Sequence, residues 1–227
     1  MKTLISFILF ILMTNLSWSN DIYVTQSGAS LDLDITQDGE NNTVGNSTTA
    51  SASTGATTIL NIDQIGNSNV IKYQINGATY TGVINLVGNS NDVDLNCDST
   101  GNNSSCGSAN AVINFTGNSN DIDLDIGQTS AATSADVDIV GQSGSDSNVV
   151  AATVDGTSAV LTITVNGDTN NYLIDIDGNG DVNGHTLIHS HTGGIADVDI
   201  VQSGTNDNMI TLTTSGDNAD IDISQTD

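Results

Sequence analysis

Short runs in which Ile, Val or Leu alternate with Asp, Thr or Ser recur along this chain, each closed by a polar turn containing Gly and Asn. A period of two is the mark of a strand with one buried face. The pattern therefore predicts an all-β protein built from many short, half-buried strands. One phrase marks the turns: Gln, any residue, Gly, then a polar stretch with Asn. Gln26, Gln37, Gln64, Gln142 and Gln202 carry it, before Gly28, Gly39, Gly66, Gly144 and Gly204. Three further turns replace the Gln with Leu86, Phe115 or Val165, before Gly88, Gly117 and Gly167.

Spacing sets the unit. The glycines at 66, 77 and 88 are eleven residues apart, as are those at 156, 167 and 178. A strand and its turn then take about eleven residues, and a strand-turn-strand pair about 22. Fixed-period similarity of this kind is the signature of a stacked repeat architecture. The expectation is a β-solenoid of about eight two-strand rungs over residues 20–227, with two opposed sheets. Stretches rich in Ser, Thr, Ala and Gly at about 43–57, 96–110, 128–135 and 179–195 read as insertions on loops at its edge. Residues 135–140 and 196–201 share the sequence Ala-Asp-Val-Asp-Ile-Val, and the extra Gly141 after the first copy reads as a bulge.

Alternate side chains of a strand face opposite ways, so parity separates inside from outside. With Gln64 inward, Leu60 and Ile62 are inward too, followed after the turn by Asn69, Ile71, Tyr73 and Ile75; Lys72 and Gln74 point out. The same rule buries Asn120, Ile122, Leu124 and Ile126, and Asn170, Tyr172, Ile174 and Ile176. Buried amides are costly when alone, but stacked in successive rungs they can bond to one another. Gln26, Gln37, Asn42, Gln64, Asn69, Asn91, Asn120, Asn170, Gln202 and Gln225 are the expected members of such a ladder. The turn glycines are expected to supply the positive φ of a tight arc.

Composition narrows the function. Beyond Lys2 the only basic side chain is Lys72, against 27 acidic residues, of which all but Glu40 are Asp. A net charge of −25 excludes a nucleic-acid groove, which needs Lys and Arg. Lys2, an apolar run over residues 4–13 and Ser17-Trp18-Ser19 form an expected export leader over residues 1–19, too short to span a bilayer. Cys97 and Cys106 then read as a local disulfide of an exported, extracellular or cell-surface protein.

The repeat resembles the curlin repeat of curli fibre subunits, which combines an inward Gln, a Gly two residues on and an inward Asn five residues after the Gln. Gln37 with Gly39 and Asn42, and Gln64 with Gly66 and Asn69, keep that spacing, while Asn148 and Asn208 follow Gln142 and Gln202 one residue late. The resemblance runs from about residue 22 to 225. It departs where Leu60 and Ile75 put apolar residues in slots that the curlin repeat fills with polar ones. It implies a solenoid that adds to its own ends, forming extracellular fibres for adhesion and biofilm matrix in contact with other surface components.

Candidate chemistry outside the repeat is sparse. Outward Asp residues come in alternating runs, as at Asp121, Asp123 and Asp125. Carboxylates stacked about 4.8 Å apart repel by roughly 0.9 kcal/mol in water, which Ca²⁺ would relieve; Ca²⁺ is the one cofactor the sequence suggests. Asp175, Asp177, Asn179 and Asp181 match the first half of a Ca²⁺ loop, but Thr186 stands where its closing Glu belongs. His185, His189 and His191 cluster in one expected insertion, a candidate transition-metal set. No nucleophile elbow, phosphate loop or acid pair points to an enzyme. The rival reading is a monomeric solenoid that binds Ca²⁺ or, through Thr-rich strands, ice.

Overall fold

A computed structural model describes residues 20–45, 50–97, 106–127, 134–142, 144, 146–156, 158–177, 185–204 and 208–226. The expected leader lies outside them. The described chain forms β1 (Asn20–Ile22), β2 (Thr25–Ser27), β3 (Ser30–Asp38), β4 (Asn42–Val44), β5 (Ser51–Ile65), β6 (Ser68–Val87), β7 (Ser90–Cys97) and β8 (Ser108–Thr116). It continues through β9 (Asp121–Ile126), β10 (Ser134–Gly141), β11 (Asn148–Asp155), β12 (Ala159–Asn166), β13 (Thr169–Asp177), β14 (Thr186–Thr192), β15 (Ile195–Ser203), β16 (Met209–Ser215) and β17 (Asn218–Thr226).

The fold is a β-solenoid of stacked parallel strands, roughly 26 residues per turn. Every strand pairs in parallel with its equivalent one turn away, because each turn brings the chain back over itself in the same direction. One face stacks eight segments: β3, the second half of β5, the second half of β6, then β8, β10, β12, β14 and β16. The other stacks nine: β1 with β2, β4 with the start of β5, the first half of β6, then β7, β9, β11, β13, β15 and β17. The expected 22-residue unit is the shortest turn. Successive asparagines of one column lie 22, 27, 22, 29, 28 and 22 residues apart.

Parity holds in all three units predicted from it. Leu60, Ile62, Ile71, Tyr73, Ile75, Ile122, Leu124, Ile126, Tyr172, Ile174 and Ile176 are buried in one core shared by both faces. Truncating one such Leu or Ile to Ala would cost about 2–5 kcal/mol. Small residues make room for large ones: Gly82 lies beside the ring of Tyr80 on the same strand, and Gly141 stacks between Phe115 and Val165.

Gly141 is thus no bulge. It sits in register with Phe115 and Val165 in the inward slot expected for Gln142, and a Cβ there would lie 2.7 Å from the Phe115 ring. Gln142 is pushed outward and exposed.

The supposed insertions need correcting where they are described, since most of those residues are strand. Residues 51–55 of β5 pair with β2 and with Tyr73–Gly77. Their inward serines are satisfied locally: the Ser51 hydroxyl accepts the Val24 N–H at 3.0 Å, and Ser53 bonds to Thr58. Residues 108–110 belong to β8, 134–135 to β10, 186–192 to β14 and 195 to β15. Residues 98–105, 128–133 and 178–184 lie outside the described residues.

The turn glycines act differently from expectation. Gly39, Gly117 and Gly144 do take positive φ, at 142°, 135° and 89°. At Gly66 and Gly88 crowding is the reason: a Cβ would land on the carbonyl oxygen of Gly39 or Gly66, one turn below. Gly66→Ala should therefore lower stability by about 1–3 kcal/mol, read as a shift in the urea unfolding midpoint at constant slope.

Candidate functional site

An asparagine column runs up the solenoid beside the glycine turns. Asn20 donates to Asn42 at 3.2 Å, Asn42 to Asn69 at 3.2 Å, and Asn69 to Asn91 at 2.7 Å. Asn91, Asn120, Asn148 and Asn170 continue it in the same sense, each Nδ2 giving a proton to the next Oδ1. The second amide proton goes to a turn carbonyl, as from Asn69 to Val87 and from Asn170 to Gly167. The residue before the column takes a left-handed conformation at Asn41, Ser119 and Ser147, which swings the following Asn inward.

Asn42, Asn69, Asn91, Asn120 and Asn170 were legible from the repeat; Asn20 and Asn148 were not assigned to the ladder. Asn148 comes seven residues after the inward Gly141, where Asn69 comes five after Gln64, so its turn is longer.

The glutamines do not join this column. Gln64 donates to Gln37 at 2.7 Å, forming a two-member ladder on the eight-segment face that ends against Leu86. Gln26, Gln202 and Gln225 lie at the opposite edge, on the nine-segment face. Gln26 donates to the Ser30 carbonyl, Gln202 to that of His185 and Gln225 to that of Asn208. The Gln-x-Gly phrase therefore marks both edges of the solenoid: Gly39, Gly66, Gly88, Gly117, Gly144 and Gly167 turn at one, Gly28 and Gly204 at the other. Cys97 and Cys106 form the expected disulfide at the second edge, both buried, with Cα atoms 5.5 Å apart.

The asparagine column ends on a histidine. Where Ala196 follows Asn170 in register, His191 from the facing strand β14 takes the Asn170 amide at 3.2 Å and lies 3.1 Å from the Tyr172 hydroxyl. His185 and His189 are buried as well, so the three histidines occupy the core and not a polar loop. β14 is a full member of its face, with Leu187, His189 and His191 inward, and His189 stacks between Ile163 and Leu212. Neither ring nitrogen of His189 has a partner among the described residues, and its edge meets Tyr172 with centroids 4.3 Å apart. Burial, then His191, lowers its pKa to about 4; burial also lowers that of His191.

No group of three His, Cys, Asp or Glu that could hold a metal ion occurs among the described residues. Asp175 and Asp177 lie two apart on β13, where Asp177 accepts the Ser203 hydroxyl at 2.8 Å. Asn179 and Asp181, the rest of the candidate Ca²⁺ loop, lie outside the described residues.

The Asp residues segregate by face. On the nine-segment face they stack in pairs: Asp92 with Asp121, Asp94 with Asp123, Asp155 with Asp177, Asp197 with Asp220 and Asp199 with Asp222. Uncharged neighbours such as Ala151 and Leu173 interrupt the rows, which limits accumulated repulsion. Lys72 reaches Asp94 at 3.6 Å and Asp92 at 4.0 Å. Burial and then Asp125, Asp94 and Asp121 push Asp123 up to about 6. Burial and then Asp177, Asp175 and Asp125 do the same to Asp155, also to about 6.

On the eight-segment face Asn separates the charges, with Asn61 donating to Asp34 and Asn85 to Asp63. β12, β14 and β16 carry no Asp at all. There Thr162, Thr164, Ser190, Thr192, Thr211, Thr213 and Ser215 point outward across three successive turns.

No known family model, curated protein or solved structure matches this chain.

The two titrating sets oppose one another. Asp123 and Asp155 hold protons in the folded chain at pH values where the unfolded chain has lost them. Their contribution is present below the ordinary value of 3.8 and is lost as pH rises through about 6. His189 must stay neutral, so its contribution is lost as pH falls from 6.5 through about 4. His189→Leu should raise stability by about 1 kcal/mol and abolish its acid-side loss, because an unpartnered polar ring is replaced by an apolar side chain. His191→Leu, which orphans the Asn170 amide, should instead cost about 1–3 kcal/mol. Urea titrations at pH 4.5 and 7 separate the two.

Proposed function

We propose that this chain is a secreted structural protein, a curlin-like subunit that builds extracellular fibres for adhesion and biofilm matrix by adding copies end to end. The observation that carries this reading is the state of the two ends. Every residue of the terminal strand β17 is exposed, including the inward-parity Ile221 at 37% and Ile223 at 48%. In the first turn Ile22, Val24, Leu31 and Leu33 are only partly buried. A parallel edge with apolar inward residues and free backbone groups is a template for another strand, and a head-to-tail contact that does not close makes a filament. The buried columns supply the regular stacking such a fibre needs, and the acidic face restrains association in dilute solution. The role is structural, not enzymatic.

Protonation of Asp123 and Asp155 removes charge from the acidic face between about pH 6 and 4, and divalent ions screen what is left. The purified protein should therefore form thioflavin-positive fibres faster at pH 5 than at pH 8, and faster with millimolar Ca²⁺ at the higher pH. A β-rich monomer by sedimentation under all these conditions would sink the fibre reading.

The second reading, a monomeric ligand-binding solenoid, draws support from the Asp-free hydroxyl patch on β12, β14 and β16. That patch favours ice over Ca²⁺ as the ligand, and suppression of ice recrystallisation by the monomer would be its signature.

A further inference from the structure

The columns hold different numbers of segments, eight on one face and nine on the other, so the solenoid ends half a turn out of phase with its start. β17 projects beyond β16 as a ledge. A second copy set down in the same orientation, with its β1 and β2 over β17, would leave one strand missing above β16. Lowering it to cover β16 would drive its β1 and β2 into β17.

Rotating the second copy by half a turn about the solenoid axis removes the conflict. Its β1 and β2 then cover β16, and its β3 covers β17. The sequence is matched to that placement. Residues 208–226 and 20–38 align without a gap and are identical at nine of nineteen positions. Asn208 meets Asn20, Ile210 meets Ile22, and Ile223 and Gln225 meet Ile35 and Gln37. Inward and outward positions coincide throughout, since Asn208, Ile210, Leu212 and Thr214 are half-buried, as are Asn20, Ile22, Val24 and Gln26.

Resting on the end-to-end reading above, we infer that successive copies of this chain stack with a half-turn screw, the first turn of one (residues 20–38) seated on the last turn of the previous one (residues 208–226). Three features described within one copy continue across that seam. The Gln202 and Gln225 register runs into the Gln37 and Gln64 pair, giving a four-member glutamine column. The Asn208 amide donates towards Asn20 in the same sense as Asn20 donates to Asn42. The glycine turns also join. A Cβ at Gly216 would strike the Gly193 carbonyl and one at Gly55 the Gly28 carbonyl, and the seam sets Gly28 over Gly216. In the single copy a Cβ at Gly28 meets only the end of the Gln26 side chain, at 3.0 Å.

Cysteine pairs read the rotation directly, because in-register residues of adjacent parallel strands lie within disulfide reach. The half-turn puts Thr25 over Thr213, both outward; the unrotated stack puts Thr25 over Ser224. Oxidised fibres of a Thr25→Cys, Thr213→Cys variant should give a ladder of covalent multimers on non-reducing gels, and those of a Thr25→Cys, Ser224→Cys variant should not. Gly28→Ala should leave the unfolding midpoint unchanged and slow fibre growth at least tenfold. Cross-linking of the 25/224 pair, cross-linking of neither pair within sedimented fibres, or undiminished growth of Gly28→Ala would overturn the half-turn while leaving self-association intact. A wild-type chain that never sediments as fibres would overturn the end-to-end reading itself, and the seam with it.

Discussion

Everything in this solenoid depends on parallel turns held in register about one strand spacing apart. At that distance a side chain's main neighbour is the one at the same position in the turn above or below. Each inward slot must then suit its own column and not a core in general. Asn is tolerated in the interior because the next turn offers another Asn. Phe115 is tolerated because Gly141 stands over it. The corners obey the same rule in backbone atoms, with a carbonyl of one turn occupying the space that a Cβ of the next would need.

That constraint explains which parts were legible in the sequence. Two-residue alternation between Gly-bearing turns was enough for the fold class, and parity placed the inward residues of three units whose sequences differ. Asn42, Asn69, Asn91, Asn120 and Asn170 could be read because each keeps five residues from the inward slot before the turn. Other features were hidden because the column, and not the local pattern, decides them. Gly141 resembles an extra residue until Phe115 is known to lie beside it, and Gln142 carries the repeat phrase yet faces out. Residues 186–192 looked like an insertion because His189 and His191 replace Ile or Leu in the alternation. Nothing within that segment tells that the Asn170 column would lack its next amide at Ala196, nor that a histidine from the facing strand would take its place.

The same logic separates the two faces. Inside, identical neighbours help one another, as amides do; outside, identical neighbours carrying charge oppose one another. The outer Asp residues accordingly stack in twos and are then interrupted by Ala, Leu or Thr, or are spaced by Asn donors. Where pairs are crowded and half-buried, as at Asp123 and Asp155, the conflict is relieved by holding a proton. The buried histidines resist protonation over the same range, so the core and the surface answer acid in opposite directions.

Close packing of glycine against the carbonyl of the turn below recurs up to Gly216 on one side of the rod, whereas among the described residues of the other side it is confined to Gly55, Gly77 and Gly107. The chain passes from the nine-segment to the eight-segment face between β7 and β8, β9 and β10, β13 and β14, and β15 and β16, and the Cys97–Cys106 disulfide sits on that second side. The opposite side is confined by the carbonyl packing at Gly66, Gly88, Gly117, Gly193 and Gly216. The molecule is therefore asymmetric in its capacity for change. Evolution or a protein engineer can lengthen, shorten or replace segments along one side while the stacking pitch is kept by the other, so that a repeating rod can carry a non-repeating message.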